Sequence, residues 1–138
     1  YNRTPYEFPL IRLGDILLML AEAYNENGEI DKAVVEINKI RARVDMPGLN
    51  SGATWLAVSS KDEMTERIRN ERACELAGEG QRYWDIRRWG ILQSTVKNAT
   101  DIFGDLMYER VYQSRHEIWP IPLVEMERNP NLDQNPAW

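Results

Sequence analysis

Between Glu66 and Trp89 acids and arginines alternate with apolar residues, and every basic residue is an arginine: five acids (Glu66, Glu71, Glu75, Glu79, Asp85) stand with six arginines (Arg67, Arg69, Arg72, Arg82, Arg87, Arg88). A planar guanidinium fork holds a carboxylate through two parallel hydrogen bonds, which an ammonium group does not, so this choice points to fixed, partly buried pairs. At about 100° per residue, a helix through the stretch puts Glu71 and Glu75 on one face with Met64 and Ile68, the face that turns inward. Two carboxylates four residues apart repel each other, so they enter a core only if arginines meet them. Arg82 and Arg88 in the following helix are the available donors. The expectation is a structural ion-pair network of Glu71, Arg72, Glu75, Glu79, Arg82, Asp85 and Arg88, with two helices packed together around it.

Paired carboxylates also serve as the general acid and base of glycosidases, or as metal ligands. Nearby arginines lower carboxylate pKa values, the wrong direction for a general acid, which favours the structural reading. His116 is the single histidine and has no companion cysteine or histidine at ligand spacing. The chain contains no Gly-rich phosphate loop, no G-x-S-x-G elbow and no H-E-x-x-H. No catalytic residue, metal or cofactor is therefore expected. A net charge of −5 gives no reason to expect nucleic acid or an anionic membrane surface as partner. No apolar run approaches the roughly 18 residues of a membrane span, and no signal peptide opens the chain. It begins at Tyr1 without a methionine, which suggests a processed protein or a piece of something longer. Cys74, the one cysteine, is expected as a small packed residue within a helix.

The fold class expected is all-α, with helices over 12–27, 31–46, 61–77 and 82–97, and 138 residues are one domain's worth of chain. Pro5 and Pro9 favour an extended lead-in over 1–10. Leu13, Ile16, Leu17, Leu20, Ala21 and Tyr24 follow the i, i+3, i+4 rhythm of the first helix, which Gly28 stops. Asp31 is a suitable N-cap for the second, which carries Ala33, Val34, Ile37, Ile40 and Val44 inward until Pro47 and Gly48. This antiparallel hairpin, 12–46, resembles a tetratricopeptide unit at Leu17, Ala21, Tyr24, Gly28, Ala33 and Ile37. Small residues at Ala21 and Ala33 let two helices approach while Tyr24 fills the gap. Ser60 and Glu63 form a capping box for the third helix. The fourth carries apolar residues on two sides and is expected to be covered on both. Residues 98–114 fit either helix or loop. Pro120, Pro122, Pro130 and Pro136 confine the end to extended or turn conformations, apart from one helical turn near 124–128. Ile118, Trp119, Ile121 and Leu123 suggest a clamp across the helices.

With these motifs placed, the chain resembles the C-terminal part of the SusD/RagB family. The resemblance rests on Arg12, Asp15 and the run to Ala21-Glu22-Ala23, on Asn38 with Arg41 and Arg43, and on Glu71-Arg72 with Glu75-Leu76. It continues through Glu79-Gly80 with Arg82, Asp85 with Arg88-Trp89, Pro120-Ile121-Pro122, Glu125, Asn129-Pro130 and Gln134-Asn135-Pro136. It implies a non-catalytic, mainly helical lipoprotein of the outer surface of the outer membrane. Such a protein binds oligosaccharide or polysaccharide and covers a TonB-dependent, SusC-like transporter. Contact with the membrane would be only through a lipid anchor absent from this chain. A tetratricopeptide-like groove taken alone suits a different role, a protein–protein interaction scaffold without sugar binding.

Sugars present apolar C–H faces ringed by hydroxyls, so their sites offer an exposed aromatic plane beside hydrogen-bonding groups. Trp55 meets that description best, among Asn50, Ser51, Thr54, Ser59 and Ser60, with Tyr108 and Tyr112 as second candidates. Trp84, Trp89 and Trp119 sit in patterns that bury them. The competing reading is that Trp55 plugs the end of the helical hairpin.

Overall fold

A computed structural model of the chain describes residues 11–138, so the extended lead-in expected over 1–10 lies outside the described residues. The chain is mostly helical, as an all-α class requires, and divides into two compact units, 1–82 and 83–138. The division falls inside the 61–97 stretch expected as one helix pair.

In the first unit α1 (Leu13–Glu26) and α2 (Ile30–Arg43) form the hairpin, close to the expected 12–27 and 31–46. Ala21 and Ala33 are both completely buried, so the helices meet where their side chains are smallest, and Leu17 and Tyr24 pack against the edge of that core. Asp31 does not cap α2, contrary to expectation. The helix starts one residue earlier with Glu29 before it, and Asp31 lies in the first turn, where its charge still favours the helix N-terminus. α3 (Lys61–Glu75) begins at the expected capping box. Ser60 Oγ accepts from the Glu63 amide at 3.2 Å, and Glu63 accepts from the Ser60 amide at 3.1 Å. Met64 and Ile68 of α3 complete the core with Leu49, Leu56, Val58 and Leu76.

Polar side chains fix the direction of α3. Near its start the buried Asn25 of α1 donates to the Lys61 carbonyl at 3.1 Å and to Thr65 Oγ1 at 2.9 Å. Near its end Arg72 pairs with Asp15 of α1 at 2.9 Å. α1 therefore runs antiparallel to α3, and α2, whose Arg41 near its end pairs with Glu71, runs beside α3 in the same sense. The arginines that meet Glu71 and Glu75 are Arg41 and Arg43 of α2 and Arg12 just before α1, which corrects the expectation that they come from Arg82 and Arg88. Glu75 receives Arg12 at 2.5 Å and Arg43 at 2.8 Å. Arg12 also donates through Nε to both oxygens of Glu79 at 2.9 Å and through Nη2 to the Glu75 carbonyl. Gly14 makes room for this crossing, since a Cβ there would lie 2.7 Å from Arg12 Nη1 and 2.8 Å from Glu75 Oε1. Cys74, expected to be packed, is exposed: α3 turns Met64, Ile68 and Arg72 inward instead.

The fourth helix departs most from expectation. α4 (Gln81–Arg88) stops where Gly90 takes φ +67°, a left-handed conformation that ends helices, and the chain restarts only as the single turn α5 (Leu92–Thr95). Nor is α4 covered on two sides. Asp85 and Ile86 are buried, whereas Tyr83 and Trp84 are exposed. The ambiguous stretch after it is a small antiparallel hairpin, β1 (Ala99–Thr100) with β2 (Leu106–Tyr108). The Asp101 carboxylate holds its turn by accepting from the amides of Phe103 and Asp105, both at 2.9 Å. A 3₁₀ turn (Ser114–Glu117) and α6 (Leu123–Arg128) follow.

The C-terminal segment is not the apolar clamp expected, because Ile118, Trp119 and Leu123 are exposed and Ile121 is only half-buried. Polar brackets hold it instead. Gln134 accepts from the Ile121 amide at 2.8 Å and donates to its carbonyl at 3.0 Å, and Asn135 donates to the Trp119 carbonyl at 2.6 Å.

Arg41 is buried, with Glu71 and the Pro47 carbonyl (2.8 Å) as its partners, so removing Glu71 leaves a buried cation with one neutral acceptor. Glu71→Ala is expected to cost about 3 kcal/mol, lowering Tm by ~10 °C. Glu26→Ala, which breaks an exposed pair with Lys61, is expected to cost below about 1 kcal/mol. Equal shifts in a thermal melt would overturn the buried network. Hydrogen bonding from Arg12 holds the Glu79 carboxyl below its usual value of 4.5. A carboxyl whose folded pKa is depressed stabilises the fold above its unfolded pKa, and that contribution is lost as pH falls through the folded value. Melting temperature should decline below about pH 4.5, and Glu79→Gln should shallow that decline.

Candidate functional site

Two asparagines build the loop that carries Trp55. Asn38 of α2 brackets Leu49, accepting from its amide at 2.7 Å and donating to its carbonyl at 3.2 Å. Asn50 does the same for Val58, at 2.8 and 3.2 Å, from a backbone with φ +58° that asparagine tolerates better than most residues. These brackets mimic strand pairing and turn Leu49, Leu56 and Val58 into the core. The short 3₁₀ turn Thr54–Leu56 advances about 120° per residue, so burying Leu56 places Trp55 outside. Trp55 is 61% exposed, which removes the reading in which it plugs the hairpin. Arg67 of α3 donates to the Trp55 carbonyl and ties the turn down.

Beside this turn lies an open depression of about 590 Å³, lined by Thr54, Ala57, Asp62, Glu63, Glu66, Arg67 and Asn70. Its polar groups sit on the outward face of α3, where the capping box holds Glu63 in place. The amides of Ser59 and Ser60 donate to the Glu63 carboxylate and keep its pKa below the usual range. Carboxylates, a guanidinium and an amide can bond sugar hydroxyls, and the exposed Trp55 ring on the same turn is available to stack on a sugar face. A second depression of about 570 Å³, between α1 and α2, is lined by Arg12, Leu13, Gly14, Leu17, Lys39, Ile40 and Arg43. It has no aromatic plane, and its three cations are engaged by Glu36, Glu75 and Glu79.

The second unit holds the other two ligand candidates. Tyr108 is exposed on β2. Tyr112 is half-buried and donates to Glu117 at 2.8 Å, a bond that raises its pKa and commits its hydroxyl. Two tryptophans expected to be buried are not: Trp84 is 57% exposed and Trp119 66%. Trp119 Nε1 donates to Tyr83 Oη at 3.2 Å, and the Tyr83 and Trp84 rings meet edge-on at 5.2 Å. Trp119 precedes Pro120 in extended chain, where helical spacing says nothing about burial, and that was the available signal. Of the predicted ion-pair residues, Glu71, Arg72, Glu75 and Glu79 gather around α1 and α2, while Arg88 pairs with Asp85 one turn earlier at 3.0 Å.

The model of the SusD family matches residues 1–138. The chain is 34% identical over 128 residues to SusD-like protein P38 of Formosa agariphila, covering 91% of this chain and 24% of that protein. It is 28% identical over 134 residues to the starch-binding protein SusD of Bacteroides thetaiotaomicron, covering 96% and 22%. Among solved structures, a SusD-like protein from Bacteroides fragilis superposes with a TM-score of 0.78 at 31% identity, over 93% of this chain and 25% of that one. A SusD superfamily protein from Bacteroides vulgatus gives 0.73 at 30% identity, over 93% and 27%. The chain thus spans about a quarter of the length of the curated relatives it matches.

An exposed Trp55 carries little of the fold. Trp55→Ala is expected to change stability by less than about 0.5–1 kcal/mol, whereas Leu56→Ala, removing a side chain only 1% exposed, should cost about 2–5 kcal/mol. Denaturant melts of the two variants check this, and a large loss in Trp55→Ala would place the ring in the core.

Proposed function

The chain belongs to the SusD family, and from that premise we propose that it forms part of a non-catalytic glycan-binding protein of the outer cell surface. The family match over the whole chain carries this reading, and the starch-binding name of one relative supports the ligand class. The surface supplies chemistry to go with it. Trp55 offers an exposed ring on the turn that borders the depression on α3, whose carboxylates, Arg67 and Asn70 can bond sugar hydroxyls. Tyr108 adds an exposed ring on the second unit, and Tyr112 a weaker candidate, because its hydroxyl already serves Glu117.

The absence of catalysis is argued from the carboxylates. Glu71 and Glu75 are both engaged by guanidinium groups at the junction of three helices, and neither lines the depression on α3 or the one between α1 and α2. Partnership with a TonB-dependent, SusC-like transporter and a lipid-anchored position on the outer membrane complete the proposal, by family resemblance. The alternative of a helical protein-contact scaffold draws on the apolar residues that α1 leaves exposed, Leu13, Ile16, Met19 and Leu20.

A glycan array probed with the chain should identify a responsive oligosaccharide. Trp55→Ala is then expected to weaken that affinity about tenfold, equivalent to roughly 1.4 kcal/mol, and unchanged affinity would remove Trp55 from the site. Polysaccharides incubated with the chain should release no reducing ends. Release abolished by Glu71→Gln would overturn the non-catalytic assignment, and an array without any response would favour the scaffold.

A further inference from the structure

The outward face of α1 has no polar side chain over three turns. Between Leu13 and Ala23 its exposed residues are Leu13, Ile16, Met19, Leu20 and Ala23. At about 100° per residue these five fall within an arc of roughly 120°, on the side opposite the buried Leu18, Ala21 and Asn25. Asp15 and Glu22 lie to one side of that arc, and Asp15 is taken by Arg72. α1 is thus apolar on two opposite faces, the pattern of a helix covered on both. α2 and α3 pack on the inner one. On the outer one the four large side chains remain 37–71% exposed.

The neighbouring helices are built differently. α2 exposes Lys32, Lys39 and Arg43, and α3 exposes Asp62, Glu63 and Glu66, so both carry charge where they meet water. A contiguous apolar face on α1 alone marks a contact surface. Leu13 also lines the depression between α1 and α2, together with Leu17 and Ile40, so the apolar surface continues there. The cations along that depression are already matched by Glu36, Glu75 and Glu79, which leaves no charge to recruit an acidic partner. What fits is the uncharged stripe of another helix, laid against α1 side chain to side chain. Solved relatives carry this fold as about a quarter of their own length, so a related polypeptide has ample further chain to supply such a helix.

We infer that the outer face of α1 is an internal seam of a longer polypeptide, covered by a further helix of the same chain that is apolar at i, i+3 and i+4. The inference rests on family membership and not on glycan binding, and it removes the surface on which a protein-contact scaffold would draw. The test compares this chain alone with the full product of its gene. Peroxide oxidation of Met19, followed by mass spectrometry, needs no substitution. Met19 should oxidise readily in the chain alone and at least about tenfold more slowly in the full product, where reaction waits on local opening. Ile16→Lys gives a second measurement. It should shift the Tm of the chain alone by less than about 2 °C, as surface substitutions do, and that of the full product several times more. Equal Met19 rates and equal Tm shifts leave the face free for a foreign partner and overturn the inference. Slow oxidation already in the chain alone, relieved on dilution, assigns the face to a second copy and overturns it too. A gene that encodes no further helical chain has the same effect.

Discussion

One guanidinium ties the first unit together. Arg12 lies immediately before α1, yet its donors reach Glu75, the Glu75 carbonyl and Glu79 beyond the end of α3, more than sixty positions away. Helix ends leave carbonyls without intrahelical partners, and a cation is stabilising there. Arg12 satisfies such a carbonyl and the acids around it at once, which its fork geometry permits and a lysine's would not. The same acids raise its own pKa further, Glu79 contributing most and then Glu75. Gly14 is part of this device, because any side chain there would occupy the space in which the pair crosses.

With α1 fastened at that end, and by Asn25 at the other, the hairpin and α3 have one relative direction and one register. Buried pairs of this kind add little net stability over apolar packing, and removing one partner is costly. Their effect here is to specify: Arg72 meets Asp15, Arg41 meets Glu71, and each match is available in a single arrangement of three helices. Small residues at Ala21 and Ala33 then close the apolar contact between the two helices that those pairs align.

The surface around Trp55 follows from this frame. Asn38 on α2 anchors the loop after the hairpin, Asn50 closes it, and the capping box starts α3 where the loop ends. The depression and its carboxylates are thereby presented by α3 and the turn before it, and the Trp55 ring by that same turn.

Local regularities made part of this legible in the chain. The apolar rhythm of α1, α2 and α3 and the Ser60–Glu63 box each depend on neighbours within a few residues, and each produced the expected element. Trp55, too, stood out by its polar surroundings. Partners distant in sequence could not be read in the same way. Composition said that arginines must meet Glu71 and Glu75, but Arg41, Arg43 and Arg12 were chosen by how three helices pack. Break points and exposures were likewise tertiary. Gly90 ended α4 where periodicity ran on, and Trp84 was left exposed although its spacing suggested a core. Periodicity determines which face of an element is apolar, but what covers that face, and which charge lies opposite, depends on contacts between residues the chain order keeps apart.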